Sequence, residues 1–307
     1  MAHLSVIVPV YNAQECLEEL HRRLVQSCQA LTADFELLWV EDSGQDRSWE
    51  TILELSKKDP RTKAIRLSRN FGQHYAITAG LDHCSGDWAV VMDCDLQDPP
   101  EDIGRLYAKA KEGFDVVLAR RTRREDPFFK RLCSVLFYKA LSYFSEIRFD
   151  HRIGNFRILS RRVVENIRPL REQLRFLGGL VQWVGFKTAS IDVTHARRSK
   201  GKSSYSLGRS WKLAVHSVIA YSDKPLRMFV RLGFYISVGS FLCGLFIILK
   251  YFIFQTPVAG WSSLIVSLYF MGGIIIAVLG VIGIYLGKTF DEAKRRPLYV
   301  VESRVGF

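Results

Sequence analysis

A short acidic segment follows directly after an apolar run, and no other part of the chain is better suited to chemistry. Residues 89–92 are apolar and predict a buried strand, and Asp93, Asp95, Gln97 and Asp98 come next. Carboxylates at the carboxyl end of a strand in an open α/β sheet face the crevice where ligands bind. Their oxygens suit a hard divalent cation that keeps water and phosphate in its shell. The segment predicts a metal–diphosphate site; the alternative is a solvated acidic turn.

Polar residues also follow two other predicted strands. Tyr11 and Asn12 come after the strand at residues 4–10, and Glu41 and Asp42 come after the strand at residues 35–40. Because parallel strands end at one edge of a sheet, these side chains can converge with Asp93 on one crevice. The alternative is that each pair caps or turns the chain into the next helix.

Strand and helix patterns alternate along the first 120 residues. Apolar runs predict strands at 4–10, 35–40, 63–67, 87–92 and 114–119, and helical spacing predicts helices at about 13–31, from about 73, and at 101–111. Such alternation predicts an α/β fold with a doubly wound parallel sheet.

The C-terminal third is strongly apolar. Residues 232–249 and 251–287 contain no charged side chain, and a membrane-spanning helix needs about 20 apolar residues. The pattern predicts a two-helix transmembrane hairpin, and a buried soluble hairpin is the alternative. The basic flanks place both ends of the hairpin, and both termini, on the cytoplasmic side of the inner membrane. These flanks contain Lys224, Arg227, Arg231, Lys288, Lys294, Arg295 and Arg296.

The charge distribution favours membrane and phosphate partners over nucleic acid. The net charge is +12, and two basic stretches, 120–131 and 195–212, contribute much of it. The first is interleaved with aromatic residues and predicts a membrane-surface helix at about 127–144. Both stretches also suit an anion site, and a solvated basic face is the alternative. The six cysteines lack metal-type or paired spacing and are expected to be free thiols.

These signals divide the chain into four parts. We expect a cytoplasmic catalytic domain at residues 1–206, a juxtamembrane amphipathic helix at 207–225, two transmembrane helices within 226–287, and a cytoplasmic tail at 288–307.

Several segments together resemble glycosyltransferase family 2 with a GT-A fold. They are residues 8–15, 41–43, 69–73, 93–100 and 154–157. With the basic loop at 198–204 and the two-helix anchor, the chain is similar to the polyprenyl-phosphate branch of that family. The resemblance covers nearly the whole chain.

The resemblance implies roles for individual residues. The residues that would contact the nucleotide are Pro9, Tyr11, Asn12, Glu41, Asp42, Asp93 and Arg120. The residues that would bind the metal are Asp93, Asp95 and Gln97. The residues that would bind the acceptor phosphate are Arg131, Arg198, Lys202 and Ser204. The catalytic positions would be Asp95, Asn155, Arg131 and Arg198. Arginine suits phosphate because its guanidinium is bidentate and permanently charged.

The sequence departs from the family pattern at three places. Asn155 stands where the family usually has an aspartate proposed as a base, Ser204 stands where relatives often have lysine, and Ile284 replaces a common glutamate. Asn155 cannot accept a proton at neutral pH. Three explanations are open: no base is needed, the acceptor is handled differently, or the enzyme is impaired. We favour the first, because an acceptor phosphomonoester has a second pKa of about 6 and is already ionised at pH 7.

The implied activity is transfer of a sugar from a UDP-sugar to a polyprenyl phosphate at the cytoplasmic membrane face, with Mg²⁺ or Mn²⁺ as cofactor. The product would serve cell-envelope polysaccharide or lipopolysaccharide modification. A homotetramer is implied by resemblance only. One alternative is a non-catalytic or impaired nucleotide-sugar-binding membrane scaffold. The other is a processive polysaccharide synthase, whose usual Gln-x-x-Arg-Trp motif is not matched at residues 173–176.

Overall fold

A computed structural model describes residues 3–121, 152–173, 175–194, 224–254 and 260–307. The chain divides into two compact units. The first contains an α/β sheet together with the C-terminal segment Pro297–Phe307, and the second contains two long helices.

The first unit is built on an eight-stranded mixed sheet. Its strands are β1 (Leu4–Val10), β2 (Phe35–Glu41), β3 (Thr62–Leu67), β4 (Trp88–Val91), β5 (Val116–Arg121), β6 (Ile153–Ser160), β7 (Thr188–Val193) and β8 (Val301–Val305). Their order across the sheet is β7-β5-β6-β4-β1-β2-β3-β8. Strands β1 to β4 pair in parallel, whereas β6 and β8 run antiparallel to their neighbours.

Helices cover both faces of this sheet. They are α1 (Gln14–Gln29), α2 (Ser48–Lys58), α3 (Gln73–His83), a 3₁₀ turn (Pro100–Asp102), α4 (Ile103–Lys111), α5 (Arg161–Ile167) and α6 (Leu177–Val184). Leu17, Leu20 and Leu24 of α1 are fully buried because their helical spacing puts them on one face. Helices α1, α2 and α4 share one apolar core with the sheet, and α3, α5 and α6 share the other.

The predicted fold class is confirmed, and the sheet differs from the prediction in its strand order and in three further strands. The five predicted strands all point the same way, but they are not contiguous. Antiparallel β6 lies between β4 and β5 and pairs with both. Strands β6, β7 and β8 lack the long apolar runs that identify the other strands. Strand β8 also shows that residues 288–307 are not simply a tail, because Val301–Val305 pairs with β3.

The second unit contains helices α7 (Lys224–Phe254) and α8 (Trp261–Ala293), with 31 and 33 residues. Each contains a segment long and apolar enough to cross a membrane, Leu226–Phe246 and Ser263–Ala293. Large apolar side chains along both helices are exposed, among them Phe241 and Tyr269. Such exposure is expected of helices whose solvent is lipid.

Candidate functional site

The predicted polar residues meet at the carboxyl edge of the sheet. Strand β1 lies between β2 and β4, and it is parallel to both. The chain moves to one side of β1 for β2 and β3, and to the other side for β4, so a topological switch point lies between β1 and β4. Ligands bind at such points in open α/β sheets. The residues after Val10, Glu41 and Val91 therefore border one crevice.

Asp93 is the most strongly perturbed carboxyl group at this edge. Its Oδ1 accepts hydrogen bonds from Gln73 Nε2 at 2.7 Å and from Asn155 Nδ2 at 3.1 Å. Burial, with help from the nearby Asp95 and Asp98 carboxylates and against the opposing Asn155 hydrogen bond, raises the pKa of Asp93 to about 6. A half-buried carboxylate beside two others favours binding of a cation.

The two predicted metal ligands next to Asp93 lie in a tight turn. Leu96 has φ of 60°, and the backbone N–H of Gln97 donates to Asp95 Oδ1 at 3.1 Å. Within the described ranges no three His, Cys, Asp or Glu side chains are grouped as a complete metal site. The set of Asp93, Asp95 and Gln97 offers oxygen donors only. That chemistry fits Mg²⁺ or Mn²⁺ if a diphosphate and water supply the remaining ligands.

Arg121 is a site residue that sequence reasoning missed. Its Nη2 lies 3.3 Å from an oxygen of Asp98, a residue only 2% exposed, and it lowers the pKa of Asp93. The predicted neighbour Arg120 instead donates to Asp192 at 2.6 Å. Successive side chains of a strand point to opposite faces, so only one arginine of the pair can face Asp98. The sequence signal for an arginine at this site was the Arg120-Arg121 pair. The register of β5 determines which of the two arginines faces Asp98.

Asn155 belongs to β6, and a buried arginine holds its backbone. Arg157, 4% exposed, donates to the carbonyl oxygens of Asn155 at 3.0 Å and of Gly154 at 2.7 Å. Burial lowers the pKa of Arg157 to about 10 and the Asp93 carboxylate opposes this, so the guanidinium stays charged at pH 7. Gly154 leaves room for Arg121, because a Cβ there would lie 3.0 Å from Arg121 Nη2.

Asp42 fixes the loop that precedes α3. Its two carboxylate oxygens accept the backbone N–H groups of Phe71 and Gly72, each at 2.8 Å. Gly72 has φ of 108°, a conformation that favours glycine. Burial raises the pKa of Asp42, and the two backbone hydrogen bonds oppose that rise.

Glu41 and Asn12 fix the neighbouring loop. Glu41 Oε1 accepts the backbone N–H of Gly44, and Asn12 Oδ1 accepts the backbone N–H of Gln45 at 2.8 Å. These side chains therefore perform the turn-forming role that the sequence left open, and they do so at the crevice edge. Tyr11 beside them is 49% exposed, which leaves its ring available for stacking. Pro9 is buried within β1 opposite Val40.

The remaining predicted residues lie outside the described part of the chain. They are Arg131, Arg198, Lys202 and Ser204, with the surface helix at 127–144 and nearly all of the juxtamembrane helix at 207–225. Their assignments stay predictions, as does the homotetramer. Of the described cysteines, Cys28, Cys84, Cys94 and Cys243 are free thiols.

Similarity to solved structures supports the fold assignment. Glucosyl-3-phosphoglycerate synthase from Mycobacterium tuberculosis, solved in complex with Mn²⁺, UDP and phosphoglyceric acid, matches with a TM-score of 0.53 at 14% identity. The match covers 72% of this chain and 78% of that one.

Sequence relatives match over almost the whole chain. The uncharacterized glycosyltransferase YkcC of Bacillus subtilis (strain 168) is 41% identical over 304 residues, covering 98% of this chain and 94% of the relative. The bactoprenol glucosyl transferase of Shigella phage SfV is 35% identical over 301 residues, covering 98% of each. The model of glycosyl transferase family 2 matches residues 5–168, which include β1 to β4, the acidic segment and Asn155. The chain belongs to glycosyltransferase family 2.

Proposed function

We propose that this glycosyltransferase moves a sugar from a UDP-sugar to a polyprenyl phosphate at the cytoplasmic face of the membrane. The observation that carries the proposal is the charge arrangement at the sheet's switch point, where Asp95 and Asp98 raise the pKa of Asp93 and Arg121 pairs with Asp98 at 3.3 Å. A relative that matches end to end is named for transfer of glucose to bactoprenol, which supports the acceptor class. The two apolar helices support an acceptor held in lipid.

The donor nucleotide would lie against the β1 and β2 ends. The exposed Tyr11 ring offers a stacking surface for the base, and the loops held by Asn12, Glu41 and Asp42 border it. The diphosphate would extend toward Asp93 and Asp95. A divalent cation held by Asp93, Asp95 and Gln97 would neutralise the charge that develops on the departing diphosphate.

The reaction would be a direct displacement at the anomeric carbon. An acceptor phosphate oxygen forms a bond to that carbon while the bond between the carbon and the donor β-phosphate oxygen breaks, and UDP leaves with the electron pair. The acceptor phosphate is ionised at neutral pH, so its oxygen needs no base. Asn155 then orients Asp93 through its amide rather than removing a proton.

The membrane arrangement follows from chain connectivity. Strand β7 precedes the two long helices and β8 follows them, and both strands belong to one sheet. A chain that leaves the sheet, crosses the membrane twice and returns to the same sheet keeps both termini on one side. Basic residues adjoin the start of α7 and the end of α8, which supports a cytoplasmic location of that side and a multi-pass arrangement in the inner membrane.

The test is UDP release by the purified full-length protein with undecaprenyl phosphate, Mn²⁺ or Mg²⁺, and a panel of UDP-sugars. Release with one donor, dependent on both metal and lipid, is expected and identifies the sugar. Dephosphorylated undecaprenol is the matched acceptor control and should support no turnover. UDP binding without release from any donor would instead favour the non-catalytic scaffold.

A further inference from the structure

Arg66 lies between two carboxylates that come from distant parts of the chain. Its Nε is 3.3 Å from Glu41 Oε2 and 3.3 Å from Glu302 Oε2. Glu41 is 1% exposed at the end of β2, whereas Glu302 is 52% exposed on β8. The Arg66 guanidinium also lies 5.7 Å from the ring centre of Trp49 in α2. One guanidinium therefore connects the C-terminal strand to a residue of the candidate donor site.

An irregularity in β8 makes this arrangement possible. In the sheet register Arg66 pairs with Glu41 on one side and with Ser303 on the other. The next pair is Leu67 with Val301, so Glu302 is the extra residue of a bulge. In a regular strand Glu302 would face away from the side chain of Ser303. Bulges re-aim side chains beside functional sites, and here the bulge brings the Glu302 carboxylate to Arg66.

The other oxygen of Glu41 shapes the loop next to Asn12. Glu41 Oε1 accepts the backbone N–H of Gly44, and Ser43 adopts φ of 53° in the same loop. The loop is tightly packed, since a Cβ on Gly44 would lie 2.8 Å from Asn12 Oδ1. The orientation of the Glu41 carboxylate therefore sets where this loop stands relative to Asn12.

We propose that Arg66 and Glu302 are positioning residues for the donor nucleotide, so that donor affinity depends on β8 being paired with the sheet edge. The inference rests on the proposed function, because it takes the loop after Glu41 as part of the donor site. Glu302 holds the Arg66 guanidinium at the sheet edge, where its Nε lies 3.3 Å from each carboxylate. Arg66 thereby neutralises the buried Glu41 carboxylate at one oxygen, while the other oxygen accepts the backbone N–H of Gly44.

This role of β8 would make donor binding depend on the C-terminal end of the chain. Strand β8 is reached only after the chain has passed through α7 and α8. Donor binding would thus require that the segment following the two apolar helices has folded back onto the sheet. A glycosyltransferase domain without that segment would bind its donor more weakly.

Steady-state kinetics of the full-length protein test the role. Glu302→Gln and Arg66→Met should each raise the donor KM by about tenfold, as expected for loss of a partly buried charge contact, and leave kcat and the acceptor KM within about twofold. Arg304→Gln is the matched control, because it removes a charge from an exposed position of the same strand. It should leave the donor KM unchanged.

A charge exchange separates positioning from simple stabilisation of the sheet edge. Arg66→Glu combined with Glu302→Arg restores an ion pair between β3 and β8 but places a carboxylate against Glu41. We expect the thermal midpoint to recover relative to Arg66→Glu alone, while the donor KM stays high.

Two results would overturn the inference. The first is recovery of the donor KM in the exchanged variant, which would show that the ion pair only holds β8 against the edge of the sheet. The second is an unchanged donor KM in Glu302→Gln when the wild-type protein turns over normally. A wild-type protein that releases no UDP from any donor would instead overturn the proposed function, and this inference with it.

Discussion

Asn155 donates a hydrogen bond from Nδ2 to Asp93 Oδ1 at 3.1 Å, at the position where the family usually has a carboxylate. The amide is a neutral donor, and it offsets part of the pKa rise that burial, Asp95 and Asp98 impose on Asp93. An aspartate at residue 155 would add another negative charge to this cluster. The observed residue is therefore suited to orienting Asp93 and not to removing a proton.

Asn155→Ala tests this assignment. Loss of one hydrogen bond to a charged group is worth about 1.5–3 kcal/mol, and partial replacement by water should hold the loss in kcat/KM to about tenfold. Loss of a general base would cost about 10²–10⁴-fold. UDP release measured with saturating acceptor distinguishes the two.

Asn166→Ala is the matched control, because Asn166 is an exposed asparagine whose amide donates to the Arg162 carbonyl in α5. It should retain full activity. A loss beyond about a thousandfold in Asn155→Ala with an unchanged thermal midpoint, or a large gain in Asn155→Asp, would show that this position does take part in proton transfer.

Asp95→Asn tests the metal assignment. The substitution keeps the shape of the side chain and removes its charge, and a bound cation supplies several kcal/mol to the leaving diphosphate. We expect kcat/KM to fall by about 10²–10³-fold and the Mn²⁺ concentration for half-maximal activity to rise. Glu112→Gln, at an exposed ion pair with Lys109, is the control. Full activity of Asp95→Asn at limiting Mn²⁺ would remove Asp95 from the metal site.

The features that the sequence predicted correctly depend on residues close together in the chain. Apolar runs identified β1 to β5, and their carboxyl ends identified the crevice, because in-register parallel strands bring Asn12, Glu41 and Asp93 to one edge. The acidic segment was recognisable because it directly follows a buried apolar strand, at the strand end where ligands bind in open α/β sheets.

The residues that sequence reasoning missed depend on long-range pairing. The register of β5 places Arg121 beside Asp98 and Arg120 beside Asp192, and the bulge in β8 brings Glu302 to Arg66. Neither register nor bulge leaves a periodic pattern in a single sequence. Strand β8 was hidden for a further reason, since it pairs with a strand more than 230 residues earlier in the chain.

The stability of the protein should fall between pH 6.5 and pH 4 because of His74. Burial and the positive charges of Arg157 and Arg175 lower the pKa of this imidazole to about 4, against about 6.5 in an unfolded chain. The unfolded state therefore binds a proton first as the pH falls, and the free energy of unfolding decreases by about 1–3 kcal/mol across that window.

Unfolding of the full-length protein in detergent at pH 7.5, 5.5 and 4.5 checks this expectation. His74→Gln removes the titrating group, so the variant should lose less stability than the wild type between the first and last pH. Other acidic groups titrate in both proteins and cancel in the comparison. Parallel curves for the two proteins would show that His74 takes up its proton as readily folded as unfolded.

The contact between α3 and β1 should tolerate no side chain at Gly80. A Cβ there would lie 2.3 Å from Cγ2 of Ile7, a fully buried residue of the central strand. Gly80→Ala would push α3 away from the sheet and is expected to destabilise the protein by about 1–3 kcal/mol.

Gly104→Ala in α4 is the matched control, since its nearest neighbour would be Leu31 Cδ2 at 3.6 Å. That variant should be neutral or more stable by up to about 1 kcal/mol, because alanine favours a helix over glycine. Thermal unfolding of both variants decides the matter, and equal midpoints would mean that α3 and β1 are not in close contact. Because Gln73 at the start of α3 donates to Asp93, the Gly80 variant should also have a raised donor KM, whereas the Gly104 variant should not.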